Sequence, residues 1–103
     1  MICVVRRPLW RPTRGGLAES RTTVDDVRDF EAMQAIVGGY VERIGVWPGV
    51  CLLVNEDGAA LDLEQHLVGG RVIHGAAIVV GEAPPEFRGL TPAEVERAQR
   101  WLA

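Results

Sequence analysis

Four side chains of this 103-residue chain have the type for metal or nucleophilic chemistry: Cys3, Cys51, His66 and His74. A zinc site needs thiolate or imidazole ligands within reach of one another, and no Cys-x-x-Cys or His-x-x-x-His pair occurs here. The spacing therefore predicts neither a metal nor a cofactor. A Cys51–His74 nucleophile would need an activated thiolate. Cys51 lies between Val50 and Leu52-Leu53, and apolar surroundings raise a thiol's pKa and leave it inert. His74 reads as a half-buried packing residue with one satisfied nitrogen. Glu42 and Glu56 have the chemistry for acid–base catalysis, but solvated strand and turn carboxylates explain them equally well. No catalytic residue is assigned on these grounds.

Three Gly-Gly pairs, at 15–16, 38–39 and 69–70, invite a phosphate cradle. None is followed by Lys-Ser or Lys-Thr, and no strand–GxGxxG–helix unit appears. Two of the pairs read as helix ends, where glycine adopts the left-handed conformation at little cost. Gly38-Gly39-Tyr40 has a second reading: small residues let a ligand or partner approach the backbone beside an aromatic ring. These three are candidate binding residues.

All eleven basic residues are arginine, and their distribution is uneven. Residues 1–23 hold five arginines against one acid, a balance of +4; residues 24–103 hold six against thirteen, a balance of −7. Arg6, Arg7, Arg11 and Arg14, with Trp10 among them, form a candidate contact surface for an anionic partner. Guanidinium groups suit phosphate and carboxylate, and an indole can stack or anchor an interface. The acidity of the remainder would repel a long polyanion and argues against nucleic acid.

The elements that must position these residues follow from pattern. The length fits a single domain over 1–103, and a 48% hydrophobic fraction suits a folded core. Ile2–Val5 reads as a buried strand, and 6–22, with its Pro and Gly, as an Arg/Pro-rich loop. Thr22-Thr23 before Val24-Asp25-Asp26 predicts a helix start. Val27, Phe30, Met33 and Val37 would form its apolar stripe, and Gly38-Gly39 would end it. Tyr40–Trp47 alternates with period two, which puts Val46 and Trp47 on opposite faces. Pro48-Gly49 is a turn, and Val50–Val54 a central strand. Ala59–Leu63 is expected as a short strand, Glu64–Val68 as a helical turn, and Ile73–Val80 as the last strand. Thr91 with Glu94 makes a capping box, Pro92 suits the first helical position, and Leu90 can staple onto Val95. The expected architecture is α+β: an antiparallel-rich sheet of four to five strands with two helices packed on one face.

The run Asp29–Glu42, with its Val37-Gly38-Gly39-Tyr40, is followed by Cys51-Leu52-Leu53-Val54-Asn55-Glu56-Asp57-Gly58. Gly75–Gly81 and Phe87-Arg88-Gly89-Leu90-Thr91 come later. In this order the segments resemble a family of small proteins carrying only a domain-of-unknown-function label, encoded mostly by actinobacterial phages and mobile elements. The resemblance spans residues from about 24 to 100 and implies a phage or mobile-element setting without an assigned activity. Stretch 6–21 and Leu63-Glu64-Gln65-His66 depart from the pattern.

The expected function is a binding protein that engages a host protein or sequesters a small anionic ligand such as a signalling nucleotide. The alternatives are a small enzyme of unknown reaction and a nucleic-acid-binding accessory protein. The five-residue apolar start before Arg6-Arg7 is too short for a signal peptide or a membrane span, so the cytoplasm of the bacterial host is the expected location. Trp47 on an edge strand suggests an anchor for a homodimer.

Overall fold

The computed structural model describes residues 1–9 and 16–103. The chain runs β1 (Ile2–Pro8), β2 (Ser20–Asp26), α1 (Phe30–Val37), β3 (Val41–Trp47), β4 (Val50–Asn55), β5 (Gln65–Val68), β6 (Arg71–His74), β7 (Ala77–Ala83), β8 (Glu86–Arg88) and α2 (Pro92–Leu102). It is an α+β fold. The main sheet has the order β2-β1-β7-β4-β3, with β8 added to β7, and β5–β6 form a separate two-stranded sheet. All strand pairs are antiparallel. The main sheet thus has six strands, beyond the four to five expected.

Each face of the sheet carries its own core. Val4, Leu52 and Val79 lie in one cluster with Ala98 and Leu102 of α2 and with Val68 and Ile73 of the β5–β6 hairpin. Cys3, Val5, Cys51, Leu53 and Ile78 lie in the other, with Met33 and Val37 of α1. Neighbouring residues along a strand point to opposite faces, so α1 and α2 cover opposite faces rather than one. This accounts for Val50–Val54 being buried at every position: a strand sandwiched between two layers cannot alternate.

The first third of the chain differs most from expectation. β1 runs on through Arg6, Arg7 and Pro8, and β2 begins at Ser20, so the connection is shorter than 6–22. Pro8 is tolerated because β1 pairs with β7 only at Val4–Arg6, and at residue 8 no ladder donor is missed. Thr22–Asp26 is strand, not helix start: all seven residues of β2 pair with β1, from Ile2–Asp26 to Pro8–Ser20. The N-cap of α1 is Asp29, whose Oδ1 accepts from Ala32 N–H at 2.8 Å. Gly38 ends α1 at φ 85°.

Elsewhere the hairpin β5–β6 replaces the expected helical turn at Glu64–Val68, and Ala59–Leu63 is turn and irregular chain rather than strand. Ile73–Val80 is split between β6 and β7. Gly69 and Gly70, both at positive φ (57° and 80°), form the tight turn joining β5 to β6. A register shift between Gly45 and Trp47 puts Val46 and Trp47 on the same face, against the α2-side core. The α2 start is as read, with both halves of the Thr91–Glu94 capping box formed and Leu90 buried. Among the described residues no helix is long and apolar enough to cross a membrane.

Candidate functional site

Alternation along β1 separates the two described arginines of the Arg-rich segment. Arg6 points to the α2 side, where Nε donates to Leu67 O at 2.8 Å and Nη1 to Thr22 Oγ1 at 2.8 Å. Partial burial lowers its pKa. Arg7 points to the other side and reaches Thr23 Oγ1 at 3.2 Å and Asp25 Oδ2 at 3.3 Å. Both are engaged within the fold, on opposite faces, and do not form one surface. Trp10, Arg11 and Arg14 lie outside the described residues.

Gly38, Gly39 and Tyr40 stand together at the carboxyl end of α1. Asn55 explains the glycines: its Nδ2 donates to Val37 O at 3.1 Å, and its Oδ1 accepts from Asp57 N–H at 2.7 Å. A Cβ on Gly39 would come within 3.2 Å of that Nδ2. One buried amide therefore caps α1 and orders the Asn55–Gly58 turn, and the small residues give it room. Tyr40 is 73% exposed.

For both thiols burial outweighs the nearby positive charges, the amino terminus for Cys3 and Arg43 for Cys51. Burial pushes Cys3 and Cys51 up to about 11. Cys51 packs on the α1 side while the hairpin bearing His74 packs on the α2 side, so the two do not meet. His74 is half-buried, and among the described residues its Nδ1 lies 3.3 Å from Leu63 O. Among the described residues no three His, Cys, Asp or Glu side chains are placed to hold a metal ion.

Two arrangements escaped the sequence reading. The first is the fully buried His66, whose Nδ1 lies 2.9 Å from Ser20 Oγ and whose Nε2 lies 2.6 Å from Gly75 O. With Arg6 it ties the β5–β6 hairpin onto β1 and β2. Gln65-His66-Leu67-Val68 gives no signal of it, since the buried positions are His66 and Val68 while apolar Leu67 faces out.

The second is a groove at the amino end of α1. Asp29 fixes where α1 begins and so places Phe30 on its first turn. β8, added to the end of β7, brings Phe87 against it. The two rings stack with centroids 5.9 Å apart and planes 9° from parallel. Beside them is a groove of about 530 Å³ lined also by Met1, Arg28, Asp29, Pro85 and Glu86. Phe30 remains 41% exposed. Arg28 stands 3.9 Å from Asp29 and is almost wholly in solvent. The lining is aromatic with charges of both signs, a surface suited to holding a peptide side chain. It offers neither a nucleophile nor a cluster of cations. No sequence signal joined Phe30 to Phe87, because only the pairing of the three-residue β8 brings them together.

Comparison with curated proteins and with solved structures finds no match. Comparison with protein families finds one, a domain of unknown function (DUF3846), over residues 14–103. That span takes in both helices, seven of the eight strands and most of the groove's lining. On that match the chain belongs to the DUF3846 family.

Proposed function

We propose that the domain is a binding protein that engages another protein, and that the Phe30–Phe87 groove is its working surface. The observation that carries this reading is the stacked aromatic pair left open beside the groove, with Phe30 half-exposed. A ring steadied by a stacked neighbour presents apolar area at low entropic cost, as anchors at protein interfaces do. Arg28 with Asp29 and Glu86 gives the groove mixed charge, which favours a polypeptide segment over a small anion. Arg6 and Arg7 are already committed to partners inside the fold, which weakens the anion-sequestering reading further. Two thiols raised to about 11 favour binding over nucleophilic catalysis. A phage or mobile-element setting, with the partner a cytoplasmic protein of an actinobacterial host, completes the proposal and rests on the sequence resemblance alone.

The test is affinity capture from host lysate with the wild-type chain, Phe30→Ser and Tyr40→Ser side by side. One protein should be retained by wild type and Tyr40→Ser and lost by Phe30→Ser, whose circular dichroism should match wild type. Equal retention by all three would reject the groove. A small molecule held at one equivalent in native mass spectrometry of the purified chain would favour ligand sequestration instead.

A further inference from the structure

β2 is an outer edge of the main sheet, and neither a proline nor a bulge interrupts it. The other long edge, β3, is blunted by its irregularity between Gly45 and Trp47, and Arg43 on it reaches back to Glu82. β2 instead pairs with β1 over seven consecutive residues and contains no proline.

The outward backbone groups of β2 can be assigned. Leu9 N–H donates to Glu19 O at 2.8 Å, and Val27 N–H donates to Met1 O at 2.7 Å. Inward-bonded residues alternate in an antiparallel ladder. Arg21, Thr23 and Asp25 therefore spend their backbone groups on β1, while Ser20, Thr22, Val24 and Asp26 present theirs outward. At Ala18 the outward N–H is already taken by Gln65 O at 2.8 Å, so among the described residues the open edge begins at Ser20. Val24 stands on it 47% exposed.

The strand Ser20-Arg21-Thr22-Thr23-Val24-Asp25-Asp26 is complementary to itself in one antiparallel register. With a two-fold axis at Thr23, Thr22 faces Val24 of a second copy, and both offer the outward groups that a hydrogen-bonded pair requires. Arg21 then faces Asp25 at both ends of the ladder. Within one chain Arg21 lies opposite Arg7, a like charge, and Asp25 meets Arg7 through Oδ2. A second guanidinium on that carboxylate would relieve the mismatch. Sliding by two residues either way removes the Arg21–Asp25 match and shortens the ladder. We propose that two copies of this chain associate edge to edge through β2, joining their sheets into one. The proposal stands apart from the groove and does not depend on it.

Sedimentation of the full chain across a concentration series tests it. Wild type should form a reversible dimer that weakens as added salt screens the pairs. Arg21→Glu sets two carboxylates against each other at both ends, and Asp25→Arg sets two guanidiniums. Each should weaken self-association on the order of tenfold or more, from exposed-pair energies applied at two ends. Mixing the two variants should restore a dimer near wild-type strength, because opposite charges then meet at both ends. Asp25→Arg also strips Arg7 of its acidic partner; should it fail to fold, exposed Arg21→Glu and the salt series still decide. A wild-type chain that stays monomeric up to millimolar concentration overturns the proposal. So does a dimer indifferent to Arg21→Glu.

Discussion

Acidifying the solution from about pH 7.5 to about pH 5.5 should loosen the join between the β5–β6 hairpin and the main sheet, through His66. Gly75 O can only accept, so Nε2 carries the proton and donates at 2.6 Å, leaving Nδ1 to accept from Ser20 Oγ at 2.9 Å. Protonating Nδ1 would place a cation at a fully buried position near Arg6 and require the Ser20 hydroxyl to reverse. Burial lowers the pKa of His66, outweighing the opposing hydrogen bond to Gly75 O, and the nearby Arg6 adds to the lowering. The unfolded chain takes a proton near pH 6.5 while the folded ring resists it. The stabilisation is therefore complete above that value and is lost as pH falls toward the depressed folded pKa. At about pH 5.5 the unfolded state gains at most RT ln 11, about 1.4 kcal/mol, the limit reached when the folded ring stays wholly neutral. For a domain of this size that limit corresponds to a melting temperature lower by about 6–11 °C. Thermal melts of wild type and His66→Gln at the two pH values read this directly. The variant should be less stable at the higher pH, with a pH-dependent drop smaller by up to that amount. The reasoning fails if both proteins lose the same number of degrees.

Three further perturbations follow from particular contacts. Gly69→Ala should destabilise by roughly 2–5 kcal/mol, read as a lower urea midpoint, because a left-handed residue is strained and the tight core resists the added methyl. A Cβ there, at φ 57°, would overlap the Trp101 ring. Asn55→Ala strips the cap from Val37 O and the partner from Asp57 N–H, and should cost about 2–3 kcal/mol by chemical denaturation. Arg88 forks onto Glu94 at 2.8 and 3.0 Å and holds its carboxyl down at about 2, with the Thr91 backbone assisting. That stabilisation is present above the unfolded pKa of about 4.5 and is lost as pH falls toward 2. Arg88→Met should flatten the stability profile across that window by about 1 kcal/mol, the pair being partly exposed.

What the sequence revealed was local, and what it concealed was long-range. The α2 start was legible because Thr91, Pro92 and Glu94 make all the capping interactions among themselves. Val50–Val54 and the Pro48-Gly49 turn, with Gly49 at φ 83°, were legible for the same reason. Thr22–Asp26 misled because Thr-Thr followed by acids has the chemistry of a helix start. Its β-branched run favours strand, and pairing with distant Ile2–Pro8 decides the matter. Gly69-Gly70 closes a two-residue hairpin, although glycine there also fits a helix end. The Trp47 anchor expected for a dimer is occupied within the chain: its ring meets Trp101 edge-on at 6.3 Å and lies under Arg97 at 4.3 Å. Of the candidate site, Tyr40 lies exposed beside the glycines that cap α1, while Arg6 and Arg7 serve the hairpin and β2.

The groove is tested most directly by contact. A photo-crosslinking side chain at Glu86, exposed on the groove's lining, is compared in host cells with one at Glu96, exposed on α2 across the sheet. A protein-binding groove predicts one discrete covalent adduct from position 86, abolished by Phe30→Ser and not formed from position 96. No adduct from position 86, or the same adduct from both positions, would contradict it.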